Sequence, residues 1–177
     1  SLAADGVTAL MRASDGQLWV ATAGGALQRL APSAVSFQSL GPPPAELGVI
    51  RSMVEGADGR VWLAGSRGLW RYQLQSGEFA RVGADLPALV DLQALALAAD
   101  GGVWVGATRL GLLRLSPEGE VLAHYRAQSG VDGALPDDQV RALLTTRAGQ
   151  LWVGTMNGLA IHQPARDSFL SWRHDAG

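Results

Sequence analysis

The chain has 177 residues, no cysteine, 23 glycines, 8 prolines and 47% apolar residues, with a net charge of −2 from 14 basic and 16 acidic side chains, every basic one an arginine. An apolar fraction this high with balanced charge excludes intrinsic disorder, and the lack of cysteine excludes disulfides and thiolate metal sites. No apolar run approaches the roughly 18 residues of a membrane span, and no dense cationic block marks a nucleic-acid binder.

The elements repeat along the chain. Val7 to Arg12 reads as an apolar strand, Asp15-Gly16 as a turn, Gln17 to Ala21 as a second strand carrying Trp19, and the segment around Phe37 as a fourth, ahead of Gly41-Pro42-Pro43-Pro44. The pattern returns with Ile50 to Val54, Asp58-Gly59, Trp62, Gly68 to Gln73 and Phe79, closed by Asp85-Leu86-Pro87. It returns again with Leu92 to Leu97, Asp100-Gly101, Trp104 and Tyr125, followed by a longer link, Gly130 to Asp138. Val140 to Thr145, Ala148-Gly149, Trp152 and Phe169 make the fourth copy. The tryptophans are spaced by 43, 42 and 48 residues, the size of one propeller blade. The fold expected is therefore all-β: β-propeller blades in four four-stranded antiparallel units over residues 1–43, 44–86, 87–134 and 135–177.

Each repeat position carries a physical assignment. Gly16, Gly59, Gly101 and Gly149 stand where a tight hairpin turn needs positive φ. Trp19, Trp62, Trp104 and Trp152 are expected as core between blades, since one four-stranded unit cannot bury both faces alone. The apolar first strands are expected to be buried on both faces near a propeller axis. Trp70 and Trp172 fall outside the common position and are expected over an outer strand.

The segment Gln150-Leu151-Trp152-Val153-Gly154-Thr155-Met156-Asn157-Gly158-Leu159 resembles the two-component regulator propeller repeat. Leu135-Pro136-Asp137-Asp138-Gln139-Val140 resembles that family's link into the next blade, and Trp172-Arg173-His174-Asp175-Ala176-Gly177 its blade ending. The first three units are looser, with Ala21-Thr22, Ala64-Gly65 and Gly106-Ala107 where the pattern prefers Gly-Thr. The resemblance implies part of a larger propeller of the seven-bladed type, belonging to a periplasmic sensor of a bacterial hybrid histidine kinase or diguanylate cyclase. It implies no catalysis by the propeller, no cofactor, an unknown small-molecule or glycan-like signal, no nucleic acid, and a membrane link only through other segments. Self-association is expected through the exposed faces of the terminal blades.

Ligand residues are sought where blade links and inner turns meet. Arg51, Gln93 and Arg141 share one position at the start of the first strand, with Thr8 in the first unit. Two arginines in such a ring suit an anionic ligand through forked hydrogen bonds, or else pair with Asp91, Asp137 and Asp138. Arg67, Thr108, Arg109, Met156 and Asn157 belong to inner turns. The Asp-Gly pairs supply one carboxylate per unit, too few for calcium. Asp137-Asp138 reads as a polar turn before an acid–base dyad. His162 and His174 are expected to face each other across a hairpin without a carboxylate at metal-ligand spacing, so no metal site is expected. Arg29, Arg71 and Arg114 recur on the third strand, with Ile161 in the fourth unit. Two other function classes fit the repeat texture. One is a lyase similar to the streptogramin-inactivating propellers, suggested by Asp100-Gly101-Gly102-Val103-Trp104 and Ser116-Pro117-Glu118-Gly119-Glu120; the other is an interaction scaffold.

Overall fold

The computed structural model describes residues 1–83, 86 and 91–174. Strands β1 (Val7–Arg12), β2 (Leu18–Thr22), β3 (Leu27–Leu30) and β4 (Gln38–Ser39) form the first sheet. Strands β5 (Ile50–Glu55), β6 (Arg60–Gly65), β7 (Gly68–Gln73) and β8 (Glu78–Val82) form the second. The third holds β9 (Leu92–Leu97), β10 (Val103–Ala107), β11 (Gly111–Leu115) and β12 (Val121–Tyr125). The fourth holds β13 (Val140–Thr145), β14 (Leu151–Thr155), β15 (Gly158–Gln163) and β16 (Ser168–Trp172). Every sheet is an antiparallel meander whose strands neighbour one another in chain order. The fold is all-β, built of propeller blades.

The chain divides into two compact units, Ser1–Leu92 and Gln93–Gly177. In the first, Trp19, Leu27 and Ala21 of the first sheet bury themselves with Ile50, Met53, Leu63 and Tyr72 of the second. In the second, Trp104 and Leu112 of the third sheet share a core with Val140, Val153, Ala160 and Phe169 of the fourth. Sheet stacking thus supplies the burial that no single sheet achieves.

The hairpin turns follow from their side chains. Gly16, Gly59, Gly101 and Gly149 have φ of 83°, 75°, 86° and 79°, a region costly to a side chain. Asp15, Asp58 and Asp100 each accept a hydrogen bond from the backbone N–H two residues on, at 2.9, 3.0 and 3.1 Å. Where Ala148 replaces the aspartate, Thr146 Oγ1 takes over, accepting from Gln150 N at 3.2 Å.

Three expectations change. Strand β4 is only two residues long and Phe37 lies just before it. Strands β1 and β13 are not buried on both faces, because one face of each sheet points away from its stacked neighbour and leaves Leu10 and Leu144 exposed. Trp19, Trp62 and Trp104 are buried, whereas Trp152 lies on that open face and is only partly covered. Asp85 and Pro87 of the expected second link, and Asp175 to Gly177 of the expected blade ending, lie outside the described residues.

Candidate functional site

The first-strand position singled out by the repeat has a backbone peculiarity. Pairing of β1 with β2 shifts register between Val7 and Ala9, of β5 with β6 between Ile50 and Ser52, and of β13 with β14 between Val140 and Ala142. Thr8, Arg51 and Arg141 are therefore the extra residues of three equivalent β-bulges, a device that re-aims a side chain out of the ladder. Gln93 holds the same place in β9. Periodicity located these positions; nothing in their residue types announced the bulge.

Their partners differ. Arg51 Nε donates to Asp91 Oδ1 at 2.8 Å in a half-exposed ion pair, one of the pairings anticipated. Arg141 is exposed and donates to Gln139 Oε1 at 3.4 Å. Asp137 is occupied in its own turn, accepting from Gln139 N at 2.6 Å. Asp138 accepts from Arg126 at 2.7 and 3.1 Å and from Ala127 N at 2.7 Å. Partial burial pushes its carboxyl upward, but the Arg126 and Ala127 hydrogen bonds outweigh burial and hold it below the usual range. The two aspartates thus brace the link.

Among the inner turns, Arg67 Nη1 reaches Ala45 O at 3.5 Å, and Asn157 N donates to Thr155 Oγ1 at 3.2 Å. Arg109 holds φ of 71°, with its carbonyl accepting from Arg126 at 3.2 Å. Beside it Thr108 Oγ1 is enclosed without a hydrogen-bond partner.

Two of the recurring third-strand arginines, Arg71 and Arg114, cover tryptophans. Trp62 pairs across the ladder with Arg71, and Trp104 with Arg114, whose guanidinium carbons sit 4.8 and 5.1 Å from the indole centroids. The nearly buried Arg114 also donates to Val103 O at 3.4 Å, to Leu115 O and to Asp100. Gly102 makes room for it, since a Cβ there would run into Leu115 O and the guanidinium.

A second polar cluster escaped the sequence reading. Tyr125 Oη donates to Asp167 Oδ1 at 2.5 Å, and the same oxygen lies 3.1 Å from His162 Nε2. The nearly buried imidazole sits 4.9 Å from the Trp104 ring and 5.3 Å from Phe169. These hydrogen bonds, Tyr125 first and His162 second, hold the Asp167 carboxyl below its usual 3.8, while burial and the Asp167 carboxylate push the Tyr125 phenol up. His162 pairs across the hairpin with Phe169, not with His174, and it has the close carboxylate the sequence reading did not find. The signal was available as the Asp at the hairpin turn, five residues after the histidine. Next to this cluster a groove of about 470 Å³ runs between Gln128–Leu135 and Phe169–Arg173. Among the described residues no three histidines, aspartates or glutamates group for a metal.

The profile of the two-component regulator propeller family matches residues 1–24 and 134–157. No curated protein matches the chain in sequence. A solved extracellular domain from B. thetaiotaomicron, assigned to a hybrid two-component system, superposes with a TM-score of 0.77 at 21% identity, over 90% of this chain and 22% of that one. Virginiamycin B lyase from Staphylococcus aureus superposes with a TM-score of 0.77 at 12% identity, over 97% of this chain and 56% of that one. The computationally designed Ika4 protein superposes with a TM-score of 0.65 at 14% identity, over 98% of this chain and 95% of that one. The chain thus spans about a fifth of that extracellular domain and just over half of the lyase.

Proposed function

From the two-component regulator propeller repeats that its first and fourth sheets carry, we propose that this chain is a recognition segment of a periplasmic receptor in two-component or cyclic-di-nucleotide signalling. It binds a small-molecule or glycan-like signal and performs no chemistry itself. The observation that carries this reading is the family's repeat combined with bulged, polar first-strand residues at one recurring place: Thr8 and Arg51 in the first unit, Arg141 in the second. Exposed Arg141, with Gln93, Arg109 and Asn157 on the same unit, suits an anionic group by forked hydrogen bonds. A ligand moves such a receptor between states only by binding one state better than the other.

The test is thermal denaturation with uronic-acid oligosaccharides. Ligand at about 100 times its Kd raises stability by about 2.7 kcal/mol. The rise in Tm should be lost in Arg141→Ala; an equal rise in that variant, or none for any acidic glycan with the native chain, overturns the reading. The likeness to virginiamycin B lyase favours a second reading, elimination chemistry, whose signature is turnover abolished by a chelator.

A further inference from the structure

Each unit stacks two sheets, and at the rim that carries the Asp-Gly turns the two units join their sheets differently. In the first unit Glu55, the last residue of β5, crosses to the turn that follows β1. Its carboxylate accepts from Ser14 N at 2.5 Å and from Ser14 Oγ at 3.0 Å. Ser14 has its N–H to offer because its neighbours close the turn: Ala13 N donates to Gln17 O, and Gly16 N to Ala13 O. A backbone donor and a hydroxyl on one ionised acceptor make charge-assisted hydrogen bonds, stronger than neutral ones.

The second unit repeats this backbone with other side chains. Ala98 N donates to Gly102 O and Gly101 N to Ala98 O, so Ala99 stands in the place of Ser14, and among the described residues its N–H has no acceptor. Thr145 stands in the place of Glu55, since each ends its strand and pairs with the residue just before a tryptophan. Its shorter side chain reaches only Leu97 O, to which Oγ1 donates at 2.7 Å. Beyond it a groove of about 450 Å³, with mostly apolar walls, runs between residues 97–99 and 145–149. The two turns face each other across it: a Cβ on Gly149 would stand 3.9 Å from the Ala99 methyl. Arg147 lines the groove where the first unit has Ala57, and among the described residues this exposed arginine has no hydrogen bond or ion pair. The adjacent acid, Asp100, is engaged in its own turn by Gly102 N and by Arg114. The groove thus combines an unused backbone donor, an unpaired cation and apolar walls.

We propose that this groove is a binding site for a carboxylate on a short aliphatic stem, held as the Glu55 side chain is held in the first unit. The carboxylate accepts from Ala99 N–H, the Arg147 guanidinium pairs with its charge, and the stem lies against the apolar walls. The groove sits at the opposite end of β13 from Arg141, so it stands or falls independently of the signal-binding residues proposed above.

Propionate, the free counterpart of a glutamate side chain, is the probe, and amide NMR at pH 7 is the readout. The Ala99 N–H signal should shift and saturate with a Kd of about 10 mM, as suits so small a ligand. Propionamide, which has the same shape without the charge, should leave it in place. Arg147→Ala should weaken propionate binding about 5-fold, the loss of one charge-assisted partner at an exposed site. Thr145→Glu places the missing carboxylate on the chain itself, so it should shift the Ala99 signal without propionate and abolish the response to it. Both positions are exposed or half-exposed, and each variant should melt close to the native chain. An Ala99 signal that propionate does not move overturns the proposal. So does an equal response to propionamide, or an undiminished response to propionate in Thr145→Glu.

Discussion

The two compact units stack their sheets alike and finish the stack with different chemistry. In the first, Trp19 meets Tyr72 edge-on at 5.7 Å, Tyr72 meets Phe79 at 4.7 Å, and Leu40 packs beside them. In the second, Trp104 meets Tyr125 at 5.8 Å and His162 at 4.9 Å, with Phe169 behind. His162 occupies the register place of Tyr72, since each pairs across its hairpin with the phenylalanine. The replacement brings a nearly buried imidazole beside a half-buried phenol, and both find one partner. Asp167 supplies it from the hairpin turn at φ of 48°, where the first unit has Gly77 at 73°. A carboxylate held in left-handed backbone is strained, and it persists here because the nearly buried His162 and the half-buried Tyr125 both converge on it. The same blade geometry thus accepts an aromatic core closed by packing or one closed by hydrogen bonds.

The largest way to break the comparison is to remove the shared element. Trp19→Ala and Trp104→Ala should each cost about 3–5 kcal/mol. Trp104→Ala belongs at the upper end, because it also opens the His162 pocket and removes the surface on which Arg114 lies. Urea titration followed by circular dichroism measures both. Equal losses would mean that the polar cluster of the second unit is indifferent to its hydrophobic roof.

How the fold was legible is visible in these same residues. The Trp period, the Asp-Gly turns and the apolar first strands are local signals, each tied to one backbone requirement, and they placed β1, β5, β9 and β13 closely. Stacking order is not local. Trp152 shares its neighbours in sequence with Trp104, yet its exposure depends on which sheet lies across from it. The bulges at Thr8, Arg51 and Arg141 are a difference in residue count between paired strands, which no residue type signals. The Tyr125–Asp167 hydrogen bond joins a strand to a hairpin turn 42 residues on, beyond the reach of a motif.

An intermediate effect sharpens the contrast through pH. The folded-state value of Asp167 is depressed, so its contribution is present above the ordinary carboxylate value of 3.8 and is lost as pH falls through the folded value. Tyr125 is raised above 10, so its contribution is present below 10 and is lost as pH climbs toward the folded value. Asp167→Asn should therefore lower stability by about 1 kcal/mol at pH 7 and flatten the acid limb of Tm against pH. Asp100, held low by the Gly102 N–H and then Arg114 against burial, and Asp138, held low by Arg126 and Ala127 N–H against burial, keep part of that limb in the variant. An unchanged acid limb would show that the Asp167 hydrogen bonds do not survive in solution.

The smallest effect asks whether the second unit's solution can be carried into the first. Gly77 lies at the same turn position as Asp167, and a Cβ placed on it would stand 3.8 Å from the Tyr72 hydroxyl. In Gly77→Asp two opposed terms meet. The left-handed backbone disfavours a side chain by about 1 kcal/mol, while a carboxylate accepting from a phenol returns a comparable amount. Stability at pH 7 should then change by no more than about 0.5 kcal/mol. It should decline below pH 4, where the new carboxylate is neutralised and only the backbone strain remains. A loss near 1 kcal/mol at every pH would mean that Tyr72 does not turn toward the turn. In that case Asp167 is tolerated because of His162, and the two cores are not interchangeable.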